Sequence, residues 1–476
     1  MRTKYHQLSL KDTFSDCQDL FREDTPSFFQ LLNDTLDISE FIPPDFYRAF
    51  YLALGRKRTY PLEGFLSALI LQKIFSIPTD SLLILFLGLC RELRDFCGFS
   101  KVPDAPLFSR FRTSFEPYIE QMFHKLVDLT EPICHLIDSS LANVLTFDTS
   151  GIELYVTENN PKTLNSLIKR LKAFYRDNPD VDPYRLAYAL MPSRAASCPD
   201  AKQQYINGHF CYADKFAVLT NGLGIIRHIT FLDDDFKKAH PEMTVDKKSD
   251  SPDEDKSIGD SSSLHPVLSD YFSLHPRFSP DTFLGDSAFD TIETYGFLKE
   301  EFHFSKALIP YNVRNESSLP EVGYNLYGYP TCPNDPSLAM KHLGHCHEKG
   351  RADREKWGCP KVHMVKGQYV CSCDNPCSTA KKGRTAYTYE NMDFRRFPGV
   401  QRDSGEWDAL YKIRTIVERA INHLKTNMCV AGRKSRHHVT TKADVFLAGI
   451  AGQLTVIVAH RLSYPQYIRS LKPLIA

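Results

Sequence analysis

The chain has no excess of charge of either sign: 58 Lys and Arg balance 58 Asp and Glu over 476 residues. No overall field marks a partner, so a charged partner must be met by a local patch. Long apolar runs are also missing. The most apolar stretch, residues 64–93, is broken by Gln72-Lys73 and by Pro78-Thr79-Asp80. Its purest run, Ser81–Cys90, is too short to span a bilayer. The opening MRTKYHQLSLKD lacks the apolar core of a signal peptide. A cytosolic protein without a membrane partner is expected. Thirteen cysteines, an odd number spread over a long chain, do not suggest a disulfide framework. Buried thiols or metal ligands remain. There is no pair of C-x₂-C knuckles and no internal repeat.

What is present is unevenly distributed. Residues 46–130 read as all-helical, with helical spacing of apolar residues over Phe46–Leu54, Leu62–Phe75, Asp80–Phe96 and Ala105–Leu129. Asp80 is expected to cap a helix and Gly98 to stop one. The segment from Leu93 to Arg112 resembles two short helices joined by a turn. It would present Arg110 and Arg112 either to DNA or merely to solvent on a packing domain. Residues 143–310 read as a mixed α/β region. A strand at Asn143–Phe147 ends on Asp148, with a turn at Thr149-Ser150-Gly151. Asn160-Pro161 opens a helix to about Tyr175, and residues 177–204 form a loop. A hairpin pairs Gly208–Leu219 with Gly224–Leu232. Residues 237–263 read as a charged, Ser-rich loop. Then come a strand at Thr282–Leu284 ending before Asp286, a helix at Thr291–Phe302 and a strand at Lys306–Pro310. Residues 315–405 are loop-rich and hold Cys332, Cys346, Cys359, Cys371, Cys373 and Cys377, with His342, His345, His347 and His363 close in sequence. The compact set Cys359, Cys371, Cys373 and Cys377 is a candidate for structural Zn²⁺; reduced thiols are the alternative.

The stretch Tyr411–Lys425, YKIRTIVERAINHLK, reads as one amphipathic helix. Tyr411, Arg414, Glu418 and Lys425 fall on one side. Ile413, Ile416, Val417, Ala420, Ile421 and Leu424 fall on the other. The polar side is either a solvated face with an Arg414–Glu418 pair or a carboxylate set between cations for a metal ion and a phosphate. Hard oxygen ligands such as Asp148, Asp286 and Glu418 suit Mg²⁺, and clustered carboxylates hold ions that activate an attacking oxygen and stabilise a leaving one.

The spacing Tyr411, Arg414, Glu418, Lys425 resembles the Y-R-E-K signature of bacterial insertion-sequence transposases of the DDE, RNase H-like superfamily. NVLTFDTSGIE around Asp148 and FLGDSAFD around Asp286 are similar to that family's two Asp strands, and RDFCGFSKVPDAPLFSRFR to its front end. The resemblance implies an α/β fold: an RNase H-like catalytic core with an all-helical N-terminal domain and a loop/β-rich, cysteine-containing insertion. It divides the chain into a helical, DNA-end-binding domain (1–135), a first core part with Asp148 and Asp286 (140–314), the insertion (315–405) and C-terminal core helices with Glu418 (406–476). It implies Asp148, Asp286 and Glu418 as catalytic ligands of Mg²⁺ or Mn²⁺, with Tyr411, Arg414 and Lys425 on DNA phosphates. The activity implied is cleavage at transposon ends and strand transfer into target DNA. The partners are double-stranded DNA (terminal inverted repeats and target) and a second copy of the chain on paired ends, in the bacterial cytosol. Alternatives are a metal-dependent DNA nuclease without strand transfer, a catalytically silent DNA-binding descendant, or a zinc-dependent binding module.

Overall fold

The structure is a computed structural model that describes residues 27–52, 57–178, 180–206, 209–243, 258–312, 323–325, 327–389, 394–433 and 435–474. Its centre is a mixed sheet organised on strand β1, Val144–Glu153. On one side β1 pairs antiparallel with β4, His209–Asn221, from Leu145↔Asn221 to Glu153↔Ala213. On the other it pairs parallel with β6, Thr282–Leu284, which in turn pairs parallel with β7, Lys306–Leu308. Beyond β4 lie β5, Ile226–Phe231, along its second half, and β3, Cys198–Ile206, with the short β2, Arg194–Ala195, along its first.

Alternation along β1 assigns its two faces. Leu145 and Phe147 pack with Phe283, Val267, Leu268 and Tyr271, under the helix Asp260–Leu274. Val144 joins Leu284, Leu308, Trp407 and Tyr411 on the opposite face, and Ile152 joins the large core there. That core merges the helical front with the sheet. It holds Leu66 and Leu69 of helix Leu62–Ile74, Phe108, Phe115 and Phe123 of helix Ala105–Ile137, and Phe216 and Ile229 of the sheet. It also holds Phe446, Ile450 and Leu454 of the last long helix, His438–Arg461. This last helix is the one described helix long and apolar enough to cross a membrane, yet 89% of its most apolar window is buried inside the protein.

Several expected elements stand as read: Thr282–Leu284 as a strand, Asn160 capping a helix Pro161–Phe174, and the hairpin, which turns at Gly222 with Gly224 at φ +78°. Others need correction. Asp148 is inside β1, not at its end, and Thr149-Ser150-Gly151 continue the strand because β4 pairs with all three. Residues 177–204 are not all loop: they include helix Pro183–Leu190, β2 and the start of β3. Asp80 is the first helical residue, and Thr79 is the cap, its Oγ1 accepting from Leu82 N. The expected helix Asp80–Phe96 is two, Asp80–Leu89 and Arg91–Phe96. The second arm of the supposed helix-turn-helix is a 33-residue helix, Ala105–Ile137. Most of the acidic stretch 237–263, residues 244–257, lies outside the described residues, but Asp260–Ser263 are helical.

The insertion forms small antiparallel units. Lys341–Cys346, Arg354–Gly358 and Thr385–Thr388 make one sheet, and Val362–Val365 with Gln368–Cys371 a hairpin. Trp357 packs with Tyr329 and Met340 beneath them. Near the end of the insertion, Arg395 reaches back to fully buried Asp290 at 2.7 Å. The second aspartate of FLGDSAFD thus serves packing.

Candidate functional site

The register of two adjacent parallel strands builds the site. β1 pairs Thr146 with Leu284 of β6. Asp148 and Asp286 each follow that pair by two residues, so the pleat aims both to the face that carries Val144 and Leu284. Asp148 Oδ1 accepts from Thr149 N at 2.8 Å. Asp286 caps a short helical turn, its Oδ1 accepting from Ala288 N at 2.7 Å.

Over this face runs the helical stretch 405–427. Ser404 caps it through Trp407 N. It is α-helical over Gly405–Tyr411, tightens to 3₁₀ over Lys412–Arg414, returns to α over Thr415–Asn422 and widens to π over His423–Asn427. The expected apolar stripe is the buried one: Ile416, Val417, Ile421 and Leu424 are in the core. Glu418 is half-exposed on the other side.

Arg414 joins the acids. Its Nη1 donates to Glu418 Oε1 at 2.5 Å, and its Nη2 lies 3.6 Å from Asp286 Oδ2. Burial raises Asp148 to about 6; the Thr149 N–H and Arg414 pull the other way, while Glu418 and Asp286 add to the rise. Three carboxylates and one guanidinium thus share one electrostatic neighbourhood. Tyr411 stacks on Trp407 with ring centroids 6.0 Å apart, and burial raises its phenol. Lys425, on the π-helical turn, reaches β1 just past Asp148, donating to Gly151 O at 2.8 Å and Ser150 Oγ at 3.1 Å. Burial lowers its ammonium.

An all-carboxylate donor set fits Mg²⁺ or Mn²⁺ in kind, and the guanidinium already among these acids marks a place where positive charge is stabilised. The set is open: the only described group of three or more His, Cys, Asp or Glu whose ligating atoms all lie within 4.8 Å is a different one, His124, His228 and His275.

The remaining candidates fare unequally. Arg110 is exposed on its helix. Arg112, expected beside it on DNA, is instead fully buried. Its guanidinium forks onto Asp80 at 2.8 Å and pairs with Asp444 at 3.0 Å. Cys359, Cys371, Cys373 and Cys377 do not gather into a group of the tightness defined above. Two of the histidines near them in sequence are taken by a carboxylate, His342 and His345 both bonding Glu355. Sequence reading missed the Trp407–Tyr411 stack and the three-histidine group. The first carried a signal, an i,i+4 aromatic pair; the second, spread over three distant segments, carried none.

The front of the chain has its own likeness. Residues 15–114 match a family model described as a transposase domain (DUF772). The match supports a transposase role for the chain. It takes in Lys73, Asp80, Arg110 and Arg112 and ends well before Asp148. No curated protein matches the chain.

Proposed function

We propose that the chain is a DNA transposase of the DDE, RNase H-like superfamily, cutting DNA at transposon ends and joining the freed 3′ ends to target DNA. One observation carries the reading: Asp148, on β1, and Asp286, two residues past the end of the parallel neighbour β6, come together with Glu418 from a later helix around Arg414. The transposase-domain match at the front of the chain supports it independently. Mg²⁺ or Mn²⁺ held by the three acids would neutralise the scissile phosphate and activate the attacking oxygen. Asp148 must first be ionised, and positive charge beside it favours that form. Arg414 relieves repulsion among the carboxylates and, with Lys425 and the phenol of Tyr411, offers donors to the DNA backbone. Arg110 is the exposed arginine of the front domain for the same use. The partners are double-stranded DNA with terminal inverted repeats, target DNA and a second copy of the chain, in the bacterial cytosol.

The assay is cleavage and joining of DNA bearing the element's terminal repeats, with Mg²⁺. Glu418→Gln is expected to lower both steps by about 10²-fold or more while end binding persists. Full activity in a chelator, or in Glu418→Gln, overturns the proposal. Cleavage that never proceeds to joining would favour the nuclease reading.

A further inference from the structure

Away from the carboxylates, three histidines from three elements meet in the core. His124 comes from the long helix Ala105–Ile137, His228 from β5, and His275 from the end of helix Asp260–Leu274. One ring nitrogen of each lies within 4.8 Å of the other two. His124 Nδ1 and His275 Nε2 are 3.2 Å apart. Two nitrogens at 2.0–2.1 Å from a tetrahedral zinc stand about 3.3–3.4 Å apart, so this spacing already suits a shared ion.

The outer contacts point the same way. His275 Nδ1 meets Asp128 Oδ1 at 2.7 Å, the carboxylate partner that fixes a ligating ring and turns its Nε2 inward toward His124. His228 is 2% exposed; its Nε2 meets the Thr230 hydroxyl at 2.5 Å, and its Nδ1 is buried with no hydrogen-bond partner. A buried ring nitrogen without a partner is costly unless something occupies it.

We propose that His124, His228 and His275 bind a zinc-type divalent ion, with Asp128 positioning His275 from outside. The ion would tie the helical front to the sheet and to the helix on its other face, and would leave a fourth position to water. The site is separate from Asp148, Asp286 and Glu418, and from the cysteine insertion.

The test is zinc binding by the full-length, metal-stripped protein, followed by X-ray absorption. Stoichiometric uptake with zinc–nitrogen distances of about 2.0 Å and outer-shell imidazole scattering is expected. Zinc–sulfur scattering near about 2.3 Å would assign the metal to the insertion's cysteines and overturn the proposal, as would no uptake above background. Because His228 variants risk misfolding, the variant to make is Asp128→Asn. Its carboxylate is more than half exposed. It should weaken zinc binding about 10–100-fold with the far-ultraviolet spectrum unchanged; unchanged affinity would sink the positioning role. Zinc binding retained in Glu418→Gln separates this site from the catalytic proposal, and its loss there would overturn the assignment.

Discussion

At the scale of single residues, Asp148 is under the greatest electrostatic load in the site. Burial and two neighbouring carboxylates raise it to about 6, above the roughly 3.9 of an unfolded aspartate. The folded, metal-free protein therefore holds this proton more tightly than the unfolded chain does. The resulting stability is complete below about pH 4 and is lost as pH rises through about 6. Asp148→Asn removes that loss. It is expected to stabilise the metal-free protein by about 1–3 kcal/mol at pH 8 and by little at pH 4, measured by urea unfolding in a chelator. Equal stability of variant and wild type at pH 8 would show that the carboxylate is not strained. None of this load can be read from NVLTFDTSGIE, which shows an aspartate after apolar residues and gives no neighbours. The sequence did suggest the residue's importance, but only through resemblance.

At the scale of elements, Arg112 shows which signals were legible and which were not. Phe108, Phe111 and Phe115 form the buried stripe of its helix, and Arg112 falls at i+4 from the first and i−3 from the last. Its helical phase thus pointed inward, against the expectation that it would sit on DNA. The partner that completes its burial could not be read, since Asp444 lies more than 300 residues away in sequence. In the fold, Lys73, Asp80, Arg112, Arg433 and Asp444 form one network binding four helices and the loop after the Glu418 helix. Burial pulls Lys73 down to about 8 even with Asp444 beside it. Burial alone would raise Asp80, but Arg112 and Arg433 hold it well below the ordinary range. Removing Arg112 empties the buried space of a whole guanidinium and takes its donors from two carboxylates, one of them fully buried, which then keep only Lys73 and Arg433. Arg112→Ala is expected to cost about 3–5 kcal/mol, whereas exposed Arg110→Ala should stay within about 0.5 kcal/mol. Thermal and urea unfolding of both variants checks this, and comparable effects would mean that the network is weak. The same scale explains β1. Thr149-Ser150-Gly151 read as a turn by local chemistry, yet pairing with β4 and the Lys425 bonds hold them extended.

At the scale of the whole molecule, the expected boundary near residue 135 does not divide the core. The helical front and the final helix share one apolar cluster with β4, β5 and the Glu418 helix. Close approach is built in: Gly449 of the final helix faces Phe123 of the long helix, and a Cβ there would lie 2.8 Å from the ring. Thr130 and Gln453 bond at 2.6 Å across the same contact. Such continuity is invisible to domain reading by composition, because helices that bury one stripe against a distant segment look like helices that bury it locally. Under the proposed function it also bears on how DNA-end recognition and catalysis would be linked, since the segment matching the transposase domain rests on the helix that packs under the sheet carrying Asp148. A fragment covering residues 1–135 would expose the apolar stripe that His438–Arg461 now covers, and would leave Arg112 and Lys73 without Asp444. It is therefore expected to be poorly soluble or to lack a cooperative thermal transition, while addition of the 406–476 segment alone, without the sheet, should not restore one. Circular dichroism melting and amide-proton dispersion measure both; a cooperative, well-dispersed 1–135 fragment would show that the front of the chain is an independently folding module merely leaning on the rest.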